Sequence, residues 1–189
     1  MQRGNKNLHS KRGVIKLDIE KKIRTIPDFP KKGVMFKDIT PLLQDPHAFR
    51  YVIRRILDHF EPKKIDVVAC AESRGFIFGS VLAHEMQASF VPLRKPGKLP
   101  YKRIKQEYKT EYSTDAFEIH ADAIKKGDRV LIVDDLLATG GTCKAAVDLV
   151  EKLGGKVIGL AFIIELGFLN GRKKLKCYDT LSLIKYDKE

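Results

Sequence analysis

Residues 130–142 read Val130-Leu131-Ile132-Val133-Asp134-Asp135-Leu136-Leu137-Ala138-Thr139-Gly140-Gly141-Thr142. Four consecutive apolar side chains without polar alternation fit a strand buried on both faces, as inside a parallel sheet. Two carboxylates end that strand, and a loop rich in Thr and Gly then delivers successive backbone N–H groups to a helix start. Glycine lets the main chain approach a ligand closely, threonine hydroxyls add donors, and the positive end of the helix dipole favours an anion. The stretch is therefore expected to cradle a phosphate. Asp134 and Asp135 can each accept a hydrogen bond from a vicinal hydroxyl, so the ligand class is a ribose that carries a phosphate. No Lys follows the glycines where a Walker loop needs one, and the chain contains no GxGxxG.

On the far side of the loop, Ala146, Val147, Leu149, Val150 and Leu153 mark one face of a helix that Gly154-Gly155 ends, and Val157–Ile164 forms the next strand. On the near side, Ile65–Ala69 predicts a buried strand, a turn at Arg74-Gly75 leads to a helix through about Met86, and Phe90–Leu93 returns as a strand. Asp45-Pro46 is a helix start, followed by Phe49, Val52, Ile53, Ile56, Leu57 and Phe60 at helical spacing. A short helix capped by Asp18 is expected before Pro27, and a loop or hood over residues 26–40. Phe117 and Ile119 alternate with Glu118 and His120, a weak strand near a sheet edge. The fold class is α/β: a mostly parallel central sheet with helices on both faces and ligands at the carboxyl ends of the strands.

The chain has 189 residues, 43% hydrophobic and 32% charged, which suits one globular domain and excludes collagen-like, coiled-coil and wholly disordered classes. Residues 18–189 are expected to form that domain behind a disordered basic arm, 1–17. No apolar run approaches the ~20 residues of a membrane span, and the N-terminal basic residues precede no apolar segment, so no membrane association and a cytoplasmic location are expected. Cys70, Cys143 and Cys177 share no CxxC spacing and read as reduced, buried thiols. The histidines form no HExxH, and there is no GxSxG.

The formal charge of +12 is concentrated in two places. Residues 1–25 hold eight basic and two acidic side chains, and residues 94–109 hold seven and one. The second segment mixes Lys and Arg with Pro, Gly and Tyr, a composition suited to a mobile lid over a polyanion, here placed at about 95–113.

The 130–142 stretch resembles the phosphoribosyl pyrophosphate signature of the type I phosphoribosyltransferases: four apolar residues, two acids and a short loop closing in TGGT. Pro27-Asp28-Phe29-Pro30, Gly33 to Ile39, Ser73-Arg74-Gly75-Phe76, Arg94-Lys95 with Gly97-Lys98-Leu99-Pro100, and Glu111-Tyr112 extend the resemblance to the adenine-using branch of that family. The basic arm is the one departure. The resemblance implies purine salvage, in which adenine and phosphoribosyl pyrophosphate give AMP and pyrophosphate with Mg²⁺, in a homodimer without a specific nucleic-acid partner. It implies that Glu111 and Lys98 are catalytic, and that Asp134, Asp135, Ala138, Thr139, Gly140, Gly141 and Thr142 hold the phosphoribosyl group. Ser73, Arg74, Arg94, Lys95 and Lys98 would hold pyrophosphate. Met35, Phe36, Lys37, Arg74, Leu136 and Tyr112 would hold adenine. No direct protein ligand to the metal is expected, since substrate pyrophosphate and water carry it. A cis peptide between Glu72 and Ser73 is likewise implied by the resemblance alone. Two alternatives stay open at this point: a 6-oxopurine (hypoxanthine or xanthine) phosphoribosyltransferase, and a regulator that senses phosphoribosyl pyrophosphate.

Overall fold

The computed structural model describes residues 17–109 and 114–188. In chain order the elements are strands β1 (Arg24–Ile26) and β2 (Phe36–Asp38), helices α1 (Thr40–Gln44) and α2 (Pro46–Phe60), strand β3 (Val67–Ala71), helix α3 (Gly75–Glu85) and strand β4 (Ser89–Leu93). Then come β5 (Arg103–Lys109), β6 (Thr114–His120), β7 (Arg129–Leu137), α4 (Gly141–Lys152), β8 (Lys156–Leu166) and β9 (Thr180–Tyr186).

The central sheet has five strands in the order β4-β3-β7-β8-β9, every neighbouring pair parallel. Its side chains divide by alternation. Val68, Cys70, Leu131, Val133, Ala161 and Ile163 pack on one face against α2 and α3. Val67, Ala69, Val130, Ile132, Leu160 and Phe162 pack on the other against α4 and the β5–β6 hairpin. Burial on both faces explains the unbroken apolar runs in the sequence. From β3 the chain proceeds outward to β4, and from β7 it proceeds the opposite way to β8 and β9. The β3/β7 junction is thus the point where strand order reverses, and α/β sheets bind ligands there, beyond the strands' carboxyl ends.

The Asp45 carboxylate caps α2, accepting from the N–H groups of His47 (2.9 Å) and Ala48 (3.1 Å). At the first helix the expectation needs correcting. Ile19–Lys22 is a 3₁₀ turn in which Asp18 makes no side-chain cap and instead pairs with Lys21. Four residues give one turn, too short to commit to an α-helix. The thiol reading also needs correction, because Cys70 and Cys143 are buried whereas Cys177 is exposed. The signature strand runs through both acids to Leu137, where Leu137 still pairs with Glu165 of β8.

The lid region is more regular than its composition suggests. Arg103–Lys109 and Thr114–His120 form an antiparallel hairpin, with Ile104 opposite Ile119. Arg94 and Glu118 join the hairpin to the end of β4 through an isolated bridge. Glu118, on the polar side of the alternation, is only 5% exposed, because Oε2 accepts from Gly97 N (3.0 Å) and lies 2.9 Å from Arg103 Nε. The hood is a ribbon of β1 and β2 around the 27–35 loop. Among the described residues no helix is long and apolar enough to cross a membrane.

Candidate active site

The end of β3 continues into Glu72-Ser73-Arg74, and the end of β7 continues into the 138–142 loop. Between them lies a cavity of about 350 Å³. Ser73, Arg74, Lys95, Asp134, Asp135, Leu136, Ala138, Thr139, Gly140 and Thr142 all line it. The Glu72–Ser73 peptide is cis.

Gly140 adopts φ 76° and precedes the first residue of α4, a backbone conformation that favours glycine. The chain therefore turns sharply from the strand into the helix, with the loop at the helix's positive end. Gly75, at the start of α3, serves a different need. A Cβ there would lie 2.9 Å from Val133 O and 3.2 Å from Asp134 Oδ1, so the missing side chain lets α3 approach the acid pair.

Burial raises the pKa of both acids. The charge on Asp135 adds to the effect at Asp134, which goes well above the ordinary carboxylate value, whereas Arg74 offsets part of it at Asp135. Asp134 Oδ1 accepts from Asp135 N at 2.9 Å. Arg74 Nε lies 2.8 Å from Asp135 Oδ2, yet that oxygen makes no aligned hydrogen bond, so the ion pair leaves hydrogen-bonding capacity unused inside the cavity. A buried acceptor in that state favours a ligand donor such as a hydroxyl.

Arg94 and Lys98 do not line the cavity; they meet at the neighbouring Glu72. Arg94 Nε donates to Glu72 Oε2 and Lys98 Nζ to Oε1, both at 2.7 Å. Burial alone would raise the Glu72 pKa, but these two hydrogen bonds, joined by the Lys95 amide and the Lys98 charge, outweigh it and hold the carboxylate below its ordinary value. Lys95 reaches the cavity from the hairpin side, where Nζ donates to Tyr108 Oη (3.0 Å), pairs with Asp115 and lies 5.4 Å from the Phe117 ring centre.

Of the hood residues, Phe36 is tied to the cavity through Arg74, whose guanidinium lies 5.1 Å from the ring centre. Met35, beside it, is 38% exposed. The Lys37 side chain goes elsewhere, to Thr25 Oγ1 (3.1 Å) and over the Tyr186 ring (4.3 Å). Gly141 starts α4 without lining the cavity. Glu111 and Tyr112 lie outside the described residues.

Sequence reasoning passed over Glu72 as an anchor, and over Tyr108, Phe117 and Cys143 as lining residues. Cys143 directly follows Thr142, so helical continuation of the signature points to it. Burial pushes its thiol far up, which keeps it protonated.

A phosphoribosyl transferase domain model matches residues 39–188. The chain belongs to the phosphoribosyltransferase family. Within that family its relatives include adenine phosphoribosyltransferases. That of Methanococcus vannielii is 54% identical over 171 residues, covering 90% of this chain and 99% of the relative. The crystal structure of adenine phosphoribosyltransferase from Thermoanaerobacter pseudethanolicus superposes with a TM-score of 0.86 at 56% identity, covering 89% of this chain and 98% of that one. The Saccharomyces cerevisiae enzyme, complexed with an imino-altritol bisphosphate and adenine, gives 0.83 at 41% identity over 87% of this chain and 96% of that one.

Proposed function

We infer that this protein is a purine-salvage enzyme that transfers the 5-phosphoribosyl group of phosphoribosyl pyrophosphate to N9 of adenine. The single observation that carries the reading is the convergence of the acid pair, the 138–142 loop and Ser73-Arg74 on one cavity, with Phe36 joined to it through Arg74.

The loop N–H groups and the Thr139 and Thr142 hydroxyls bind the 5-phosphate, and Asp134 and Asp135 accept from the ribose hydroxyls. Adenine stacks on Phe36 over Leu136, and the Met35 main chain meets its Watson–Crick edge. The bond from ribose C1 to pyrophosphate breaks with its electron pair leaving on oxygen. N9 bonds to C1 and gives up its proton, which the released pyrophosphate takes up. The transition state is oxocarbenium-like, so positive groups must meet the departing charge and water must be excluded. Arg94 and Lys98 turn from Glu72 to the pyrophosphate, Lys95 assists, and the hairpin covers them. Glu111 is the candidate catalytic carboxylate and Tyr112 a candidate contact to the base.

The carboxylates at the cavity are hard oxygen donors of the kind Mg²⁺ accepts, usually while it keeps waters and rides on substrate phosphates. Asp134 and Asp135 would hold the water shell of a bound Mg²⁺, which would supply neutralisation of leaving-group charge. Ile77 and Phe90, each 38% exposed, offer apolar surface on α3 and β4 for a homodimer in the cytoplasm.

The test is AMP formation from labelled adenine, phosphoribosyl pyrophosphate and Mg²⁺, run beside hypoxanthine, guanine and xanthine. Adenine should react and the 6-oxopurines should lag by about 10⁴-fold or more, because they place a donor where the site expects an acceptor. Comparable use of hypoxanthine overturns the adenine assignment.

A further inference from the structure

The 138–140 backbone rests against a second glycine distant in sequence. Gly171 opens the 3₁₀ turn Gly171–Leu175, which follows β8. A Cβ on Gly171 would overlap the Ala138 carbonyl oxygen and come within 2.8 Å of Gly140 N. In the other direction, a Cβ on Gly140 would lie 2.7 Å from Gly171 O. The two segments touch main chain to main chain, with no room for a side chain at either position.

What fixes Gly171 is the residue after it. Arg172 Nε donates to Glu165 Oε1 at 3.0 Å and lies 3.1 Å from Oε2, Nη1 donates to Thr180 O at 2.8 Å, and Nη2 donates to Ser182 Oγ at 2.9 Å. Glu165 is 3% exposed and sits in β8 opposite Leu137 of β7, next to the loop's first residue. Leu175, 1% exposed, plugs the other end of the turn into the core. One arginine thus ties the turn to β8 and β9 together, and through Gly171 the sheet braces the loop from behind.

We propose that Gly171, locked by the Arg172–Glu165 pair, is a positioning residue for the phosphoribosyl group: it holds the 138–140 amides in anion-binding geometry before substrate arrives. The proposal rests on the functional reading above and deepens it. Its chemical basis is preorganisation, since amides already aimed need no reordering on binding, and a displacement near 1 Å at a reacting site costs about 10²-fold.

The experiment uses the full chain and ribose 5-phosphate as probe. Gly171→Ala should weaken ribose 5-phosphate binding by roughly tenfold or more in calorimetry and raise the KM for phosphoribosyl pyrophosphate similarly, with adenine KM unchanged. Arg172→Ala should do the same, and Arg172→Lys, which keeps one contact to Glu165, should recover part of the loss. Should Gly171→Ala unfold, the Arg172→Ala and Arg172→Lys pair decides alone. Wild-type ribose 5-phosphate affinity in the folded variants overturns the proposal. So does a parallel loss of adenine and phosphoribosyl affinity, the mark of a general structural defect. If the unmodified protein binds ribose 5-phosphate but makes no AMP, the functional reading fails while the bracing is still judged on binding.

Discussion

Arg74 holds its guanidinium 5.1 Å from the centre of the Phe36 ring. With its Nε 2.8 Å from Asp135 Oδ2, the same side chain spans from the acid pair at the end of β7 to the hood. A ribose at Asp135 and a planar base at Phe36, as proposed, would both bear on Arg74, so the two halves of the proposed site share one cation.

Replacing Phe36 with Ala removes the stacking face while leaving the main core clusters intact, since Phe36 packs on Phe29 at 5.0 Å rather than inside them. Adenine KM should rise by the equivalent of ~1–3 kcal/mol, typical of base–aromatic stacking, with the melting temperature nearly unchanged. Met35→Leu should leave adenine selectivity as it is, because the reading groups proposed there are main chain. Steady-state kinetics beside thermal melts check both. A drop in melting temperature with unaltered adenine KM makes Phe36 a packing residue only.

The acid pair predicts opposite effects on activity and stability. Asp134→Asn with Asp135→Asn should lose about 2–4 kcal/mol of binding or transition-state energy, roughly 30- to 1,000-fold in turnover or affinity. The Asp134 pKa is raised above the ordinary 3.8, so its contribution favours folding below about pH 4 and is lost as pH rises through the raised value. Charging Asp134 in the empty protein therefore costs stability, and the cost grows as pH rises above the ordinary carboxylate range. Asp134→Asn alone should melt higher than the parent at pH 7, with the gap closing near pH 4. Calorimetry across that range checks the sign.

Asp38 predicts the reverse pH dependence. Its hydrogen bond from the Thr40 hydroxyl, helped by Thr40 N–H and Arg24 against the opposing effect of burial, lowers its pKa to about 2. Its contribution is present above 3.8, the unperturbed value, and disappears as pH falls towards about 2. Arg24 and Asp38 also face each other across the β1–β2 ribbon. Asp38→Asn should cost about 1 kcal/mol at pH 7, a figure reduced for the exposure of Arg24, and should raise adenine KM a fewfold by loosening the hood. Melting curves of the two proteins should draw together as pH falls towards about 2 and coincide below it, where both side chains are uncharged.

The sheet was readable where burial is two-sided. Val130–Val133 and Val157–Ile164 could be found because both faces of β7 and β8 meet apolar layers. β9 escaped because Ser182 and Lys185 interrupt Leu181, Leu183 and Ile184, as an outer strand with one wet side permits. β5 was hidden by its Lys and Arg residues, whose apolar partners Ile104 and Tyr108 alternate with them on the inward face. At the site, the loop and acid pair could be read from adjacency alone. Glu72, Glu118 and Glu165 could not, because what makes each tolerable in the interior is a cation or amide supplied from another part of the chain: Lys98 and Arg94, Gly97 and Arg103, and Arg172. Gly171 carries no signal beyond being a glycine, and its meaning lies in the Ala138 carbonyl it faces.

The Arg94–Glu118 bridge exchanges both main-chain hydrogen bonds, at 2.9 and 2.7 Å. β4 is an outer strand, and this bridge closes the end of its free side, where unpaired amides would otherwise invite strand addition from another molecule. The hairpin is thus anchored at its root by the same contacts that shield the sheet. Any opening of the hairpin has to pivot about that root, and a swing wide enough to break the pivot would trade access to the cavity for a sticky sheet margin.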